Sequence, residues 1–330
     1  MKAAVVKGKC DVVILDIGEP VIQKPSEIKI RVTTGAICNT TDNKVYATDT
    51  PEKDWPNDKF PFVIGHECTG RIVETGGGVK NLKIGDRVVY WTVNGRAFAD
   101  YLVIDTEQSA VAAINNEAPE DIAAIMEMVI GSARLLFAED AVPMIKKGDA
   151  VLVIGLGPAG LIYHRLAKMM GAGKLAGAGR RAFRLETSRK LGADVAVDTG
   201  VAGWHGEVVS KLGKKPDVII DATGGDVVAD IIALGSKDTR IIAYGVAPFN
   251  WKDRAGELLA ADIQMPRGLG LASAKIAAPK CVEWLESGKF GLEPVISHRL
   301  SLEETGRGLD MCRLERDTTL KVLIHINDFN

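Results

Sequence analysis

Cysteine is scarce and unpatterned. Cys10, Cys38, Cys68, Cys281 and Cys312 make an odd number, and none belongs to a C-x-x-C pair. A disulfide framework is therefore a poor basis for the fold, and a reducing cytoplasm is the expected compartment. Neither sign of charge dominates: 41 Lys+Arg face 43 Asp+Glu, a formal net charge of −2. Such a balance lacks the electrostatic footprint that attracts nucleic acid or acidic membranes. No apolar stretch approaches the roughly 18–20 residues that span a bilayer. The richest, Val151 to Tyr163, is broken by Gly155, Gly157, Pro158 and Gly160. The N-terminal residues do not read as a secretion signal, because Lys7 and Lys9 interrupt their apolar run. Internal repeats and low-complexity segments are also missing. The expectation is a cytoplasmic protein with neither nucleic acid nor membrane as a partner.

With 330 residues, 46% apolar and 25% charged, the chain has the composition of an ordinary folded protein and enough length for about two domains. Its 35 glycines exceed the roughly 23 that average usage gives. That excess favours tight turns and close backbone approaches. The first third reads as short β-branched strands over 2–6, 11–15, 27–34, 70–74, 87–90 and 101–104, punctuated by Gly and Pro. This spacing predicts a partly closed antiparallel β domain. After Gly148 the texture changes. The wholly apolar run Val151–Ile154 is followed by a helical stretch to about 170, then strand and helix alternate to about 244. Alternation of this kind predicts a parallel sheet with helices on both faces. The last 60 residues hold helical patterns near 274–286 and 302–313 and a strand over 321–326, and read as returning to the first domain. The expected division is 1–135 with 272–330, enclosing 136–271.

Gly155-Leu156-Gly157-Pro158-Ala159-Gly160 follows a predicted strand and opens a predicted helix. Glycines at this spacing make the tight turn, admit a pyrophosphate to the backbone and let helix and strand pack closely. The helix N-terminus then presents free N–H groups to the phosphates. An NAD site usually carries Asp or Glu about 20 residues further on. Here that position is Gly179, followed by Arg180 and Arg181. No carboxylate is offered to a ribose hydroxyl, while two guanidinium groups suit a 2′-phosphate. The pattern points to NADP(H); the plainer reading is that the two arginines start a solvated helix.

Cys38, His66 and Glu127 are residue types that ligate zinc, and three protein ligands leave a fourth position open, as a catalytic site requires. Each also has a bland reading. Cys38 can be a small buried hydrophobe, His66 a satisfied core residue and Glu127 a helix cap. Separations of 28 and 61 residues carry no ligand-spacing signature, so the residues alone leave both readings open.

Gly65-His66-Glu67-x-x-Gly70 and Lys83-Ile-Gly85-Asp86-Arg87-Val88-Val89, together with the Val151–Gly160 segment, Leu191-Gly-Ala-Asp194 and Asp217-Val-Ile-Ile-Asp221-Ala-Thr223-Gly224, resemble in order and over nearly the whole chain the zinc-dependent medium-chain dehydrogenase/reductase family. The resemblance implies an α/β protein: a GroES-like antiparallel β catalytic domain plus a Rossmann domain with a doubly wound parallel sheet. It implies Cys38, His66 and Glu127 as ligands of one catalytic zinc. Glu67 then fills the position that approaches the metal and exchanges with water, and Thr40 matches the hydroxyl that relays the substrate proton. It implies cofactor contacts at Gly155, Leu156, Gly157, Pro158, Ala159, Gly160, Gly179, Arg180, Arg181 and Thr223, and at Lys321 beside the cofactor phosphates.

Two departures stand out. The family's four-cysteine structural-zinc lobe is missing, since Tyr90 to Phe98 contains no Cys, so no structural zinc is expected. Thr41 is inserted between Cys38 and Asp42, which puts the usual contacts of Asp42 in question. The acidic loop 47–59, with Glu52, Asp54, Trp55 and Asp58, reads either as a rim on the substrate site or as a solvated loop. Trp55, Tyr90 and Trp91 are candidates for an apolar substrate pocket. The function so implied is hydride transfer between NADP(H) and an alcohol, ketone or polyol, by a homodimer or homotetramer. The alternatives are a zinc-free enone or quinone reductase of the same superfamily and a non-catalytic NADP-binding regulatory protein.

Overall fold

The computed structural model describes residues 1–51, 59–92, 95–137, 143–245, 251–263 and 270–328. The chain divides into two compact units. One comprises Met1–Gly131, Ala277–Lys289 and Ile296–Asn330; the other comprises Ser132–Ile276 and Phe290–Val295.

The first unit is built on strands β1 (Lys2–Gly8), β2 (Asp11–Asp16), β3 (Glu27–Ala36), β4 (Phe62–Val63), β5 (Glu67–Thr75), β6 (Arg87–Trp91), β7 (Tyr101–Asp105), β8 (Ala110–Ile114), β14 (Ile296–Ser301) and β15 (Lys321–His325). Among the described residues, β2-β1-β4 form a small sheet, and a larger one runs β14-β15-β3-β5-β6-β8 with β7 also paired to β3. Strand β3 is its spine. Its first half alternates, with Ile28, Ile30 and Val32 buried between partly exposed neighbours, and then Thr33 to Ala36 are all buried. The alternating half, paired to β5 and β7, keeps one solvated face, whereas in the half paired to β5 and β15 both faces are covered. The core gathers Ile28, Ile30, Val32, Val88, Tyr90, Phe98, Val322 and Ile324. Strand β14 runs parallel to β15 although its neighbours are antiparallel. The crossover between them carries the helix Thr305–Leu314, as a parallel pair requires.

The second unit holds β9 (Ala150–Ile154), β10 (Lys174–Gly179), β11 (Val195–Asp198), β12 (Val218–Asp221) and β13 (Arg240–Ala243). Their order among the described residues is β11-β10-β9-β12-β13, all parallel. This is the doubly wound Rossmann order, whose topological switch lies between β9 and β12. Every residue of β9 is buried, which explains its unbroken apolar sequence. The helices Pro158–Met169, Ala182–Lys190, Trp204–Leu212 and Val228–Leu234 complete the layers. Trp204–Leu212, missing from the sequence reading, is framed by Gly203 and Gly213, both in the left-handed conformation. No helix of the described residues is long and apolar enough to cross a membrane.

Candidate functional site

In the first unit Cys38, His66 and Glu67 bring one donor atom each within 4.8 Å of one another. Cys38 follows the end of β3, and His66 and Glu67 stand at the start of β5, whose Glu67 is paired to Ala36. Adjacent antiparallel strands thus bring together residues that are far apart in sequence. Gly65 enters this turn with φ 92, and the Phe98 ring fills the place of a side chain there, within 2.5 Å of where a Cβ would stand. Only glycine serves at this position.

Asp42 is not displaced by the inserted Thr41. It lies in the first turn of the helix Thr41–Tyr46. Its Oδ1 pairs with His66 Nδ1 at 2.9 Å, and its Oδ2 accepts from the Cys38 amide at 2.8 Å. With Nδ1 engaged, the imidazole offers Nε2, the orientation that a carboxylate imposes on a metal-binding histidine. Burial opposes a charge on His66, yet Asp42 outweighs it and raises the pKa well above the usual value. Burial likewise pushes the Cys38 thiol up, but its hydrogen bond to His66 and the imidazolium charge prevail, and the pKa falls below the ordinary thiol value.

Glu127 belongs to the helix Met126–Ala133 and is buried. It stands outside the tight three-residue cluster but within electrostatic reach of His66, Glu67 and Cys38. Burial, helped by Glu67 and Cys38, raises its pKa to about 8. Among the described residues no hydrogen bond or ion pair reaches its carboxylate. With the Cys38 thiol and the oriented His66 imidazole it completes a set of donor types that zinc accepts.

Lys321 requires a correction. The expected place beside cofactor phosphates does not match its surroundings, for the residue is fully buried. Its ammonium donates to Glu67 Oε1 at 2.5 Å, Glu67 Oε2 at 2.7 Å and the Ile37 carbonyl at 2.8 Å, so all three protons are engaged. Burial works against this charge, but the Glu67 carboxylate outweighs it and holds the pKa above the usual lysine value. Lys321→Met is expected to lower stability by about 3–5 kcal/mol, because it strands a buried carboxylate. Urea denaturation of Lys321→Met against the double variant Lys321→Met/Glu67→Gln checks this. Recovery of a large part of the loss in the double variant is the expected result, and equal losses would rule the pairing out as the cause.

Tyr90 is also corrected. It lines no pocket: it is fully buried, its hydroxyl donates to the His66 carbonyl at 2.9 Å and lies 3.1 Å from Cys68 Sγ. It anchors the ligand loop. Trp91 packs against Gly131. Thr40 is exposed and precedes the helix Thr41–Tyr46 without a side-chain capping bond. Residues 52–58 of the acidic loop, including Trp55, lie outside the described residues.

In the second unit the Gly155–Gly160 turn joins β9 to the helix Pro158–Met169 at the switch point. A Cβ on Gly160 would sit 1.9 Å from the Gly155 carbonyl oxygen, whereas one on Gly157, at the helix N-cap, would meet nothing within 4 Å. The first glycine closes the turn and the second leaves the helix N-terminus open, the cradle a pyrophosphate needs. Thr223 is exposed after β12, where its amide and hydroxyl both donate to Asp221 Oδ1. Gly179 ends β10, Arg180 is exposed and Arg181 caps the helix Ala182–Lys190. Gly179 is not idle space: a Cβ there would approach Leu156 Cδ1 to 3.0 Å.

Sequence reasoning missed His164. It is fully buried on the helix Pro158–Met169, with Nδ1 2.7 Å from the Gly160 carbonyl and Nε2 2.8 Å from Ser188 Oγ. Burial lowers its pKa to about 4. The neutral ring therefore donates from Nδ1 and accepts from Ser188, tying the Gly160 turn to the helix that Arg181 caps. The position of this lone histidine, four residues after Gly160, was the available signal.

Residues 24–115 match the alcohol dehydrogenase GroES-like domain model, and residues 158–265 match the zinc-binding dehydrogenase model. A sorbitol dehydrogenase from Bombyx mori is 27% identical over 352 aligned positions, covering 99% of this chain and 99% of its own. An L-threonine 3-dehydrogenase from Anaeromyxobacter dehalogenans is 28% identical, covering 88% and 89%. Among solved structures, the alcohol dehydrogenase TADH from Thermus sp. ATN1 shares the fold with a TM-score of 0.81 at 23% identity, covering 99% of this chain and 100% of its own.

Proposed function

The chain belongs to the zinc-type medium-chain dehydrogenase/reductase family, and from that premise we propose that it is a zinc-dependent alcohol or polyol dehydrogenase using NADP(H). Membership makes it an oxidoreductase of the alcohol/polyol dehydrogenase type with zinc and a nicotinamide as its cofactors. The observation that carries the finer reading is the partnerless buried Glu127 carboxylate beside Cys38 and the Asp42-oriented His66. Cys38, His66 and Glu127 are assigned as the ligands of a single catalytic zinc. When bound, that zinc supplies Lewis-acid polarisation of an alcohol or carbonyl oxygen, while the nicotinamide accepts or gives the hydride.

The chain's own residues do the rest. Asp42 holds the His66 tautomer. Lys321 neutralises Glu67 and restrains its carboxylate next to the ligand cluster. Thr40 carries a hydroxyl on an exposed turn two residues after Cys38 and passes the substrate proton towards solvent. The Gly157 cradle and the N-terminus of the helix Pro158–Met169 hold the pyrophosphate. The zinc-free reductase alternative has no use for the Cys38/His66/Glu127 set, and a regulatory protein has no use for a free relay hydroxyl. Zinc analysis of the purified protein with a turnover assay on sorbitol, 2,3-butanediol and threonine separates the three readings. About one zinc per chain and measurable oxidation is the expected result.

NADP(H) is expected to be preferred. One charged hydrogen bond contributes about 1.5–3 kcal/mol, so a single arginine supplies ~10–100-fold in kcat/KM. Arg180 and Arg181 need not add, since they share one phosphate. Arg180→Ala and Arg181→Ala should raise KM for NADP far more than for NAD. They are cleaner variants than Gly179→Asp, which would confound charge with displacement of Leu156. Equal kcat/KM for both cofactors on the wild type would place the arginines outside the cofactor site.

A further inference from the structure

Two buried carboxylates border the Cys38 and His66 pair, and they are held differently. Glu67 supplies one of the three donor atoms that lie within 4.8 Å of one another, whereas Glu127 stands outside that cluster. By proximity alone Glu67 is the better placed ligand. Yet both of its oxygens are taken. The Lys321 ammonium donates to Oε1 at 2.5 Å and to Oε2 at 2.7 Å. Among the described residues no hydrogen bond or ion pair reaches the Glu127 carboxylate, which is also buried.

The clamp on Glu67 is built into the sheet. Glu67 on β5 pairs with Ala36 on β3, Ala36 pairs with Leu323 on β15, and Lys321 stands two residues earlier on that strand. Both side chains are fully buried, and the third ammonium proton goes to the Ile37 carbonyl at 2.8 Å. Parting the two groups would leave a buried, uncompensated charge on each side. Charge balance argues the same way. A Cys38 thiolate and the Glu127 carboxylate offset a divalent cation, so a second carboxylate on the metal would be in excess, whereas against Lys321 it is balanced. Four protein ligands would also close the site, as structural zinc sites are closed, while three leave a position for substrate.

We propose that Lys321 is a positioning residue that selects the metal's ligands: by occupying Glu67 it leaves the metal to Cys38, His66 and Glu127 and keeps the fourth position open for the substrate. The inference rests on the dehydrogenase reading, with its assigned ligands, and deepens it. Removing the cation hands Glu67 to the metal. The protein then keeps its metal and loses the open position.

The test uses the full-length protein. Zinc affinity is measured by competition with a chelator, and cobalt(II) is loaded in place of zinc so that its d–d absorption reports the coordination number. In the wild type, Glu127→Gln is expected to cost more than the about 10–100-fold in affinity that an outer-shell change costs. In the Lys321→Met background the same substitution should cost less than the low end of that range, because Glu67 supplies the missing carboxylate. Lys321→Met by itself should weaken the cobalt bands, the mark of a ligand gained, and lower kcat with the metal retained. The double variant Lys321→Met/Glu67→Gln should return the wild-type spectrum, which a merely structural role for Lys321 would not produce. Should Lys321→Met fail to fold, Glu67→Gln alone decides: it should keep the wild-type cobalt spectrum, with any loss of affinity inside the outer-shell range. A changed spectrum in Glu67→Gln, a wild-type zinc affinity that Glu127→Gln does not lower, or an equal cost of Glu127→Gln with and without Lys321 overturns the proposal, and zinc-dependent turnover in the same preparations leaves the dehydrogenase reading standing. A wild type that neither binds zinc nor oxidises sorbitol, 2,3-butanediol or threonine with either cofactor overturns both.

Discussion

Cys38→Ser is expected to strip the metal and abolish alcohol oxidation while leaving NADP binding in place. The sulfur sits at the end of β3 with the imidazole of His66 against it, in a pair whose charges favour the thiolate over the thiol. A serine hydroxyl neither ionises there nor offers a soft donor. Second-sphere changes provide the scale. Asp42→Ala, which frees the His66 ring without removing a ligand, should cost about 10–100-fold in metal affinity, and Cys38→Ser should cost more. NADP binding should survive because the Rossmann unit has a core of its own, with Leu152, Ile154, Ala176, Val197, Ile219 and Ile241 packed together. Metal analysis, turnover and a thermal shift with NADP measure the three quantities on one preparation. A fully active metal-free enzyme, or two zinc ions per chain, would overturn the assignment of a single catalytic site.

The elements read from sequence were those whose own residues carry a strong local pattern. β9, the glycine turn and the helix after it are consecutive, so each constrains the next, and the buried strand has an unmistakable apolar sequence. Strand β8 escaped because Ala110-Val-Ala-Ala-Ile114 carries little β-propensity. Its place is set by pairing with β6. Strand β14, Ile-Ser-His-Arg-Leu-Ser, is too polar to announce itself.

The metal-site environment shows the same limit. Glu67 and Lys321 are 254 residues apart, and no spacing rule connects them. The sheet does: Leu323 pairs with Ala36, Ala36 pairs with Glu67, and Lys321 stands two residues before Leu323 on the same strand. The available signal was a lone lysine opening the apolar run Val322-Leu-Ile324, a position where burial demands a carboxylate. Asp42 was misjudged for a related reason. A one-residue insertion displaces a contact in an extended chain, but here the insertion opens a helical turn, and Asp42 returns to His66 from within it.

Thr40→Ala is expected to lower kcat by about 10²–10⁴-fold, the usual contribution of a positioned proton-transfer group, while metal content stays at the wild-type level. The fold should hardly notice the change. A threonine that caps a helix loses about 0.5–2 kcal/mol on truncation, but Thr40 makes no side-chain capping bond, and its backbone carbonyl, which accepts from the Lys44 amide at 2.9 Å, is retained in alanine. An unchanged Tm with a large fall in kcat therefore separates relay from scaffold. Thr40→Ser keeps the hydroxyl and should recover most of the rate; it should also keep the wild-type pH profile of kcat, which the alanine variant should not. The solvent isotope effect should change in the alanine variant, because proton release must find another path. Should Ala and Ser variants show the same rate and the same pH profile, the hydroxyl carries no proton, and the relay belongs to another group in the site.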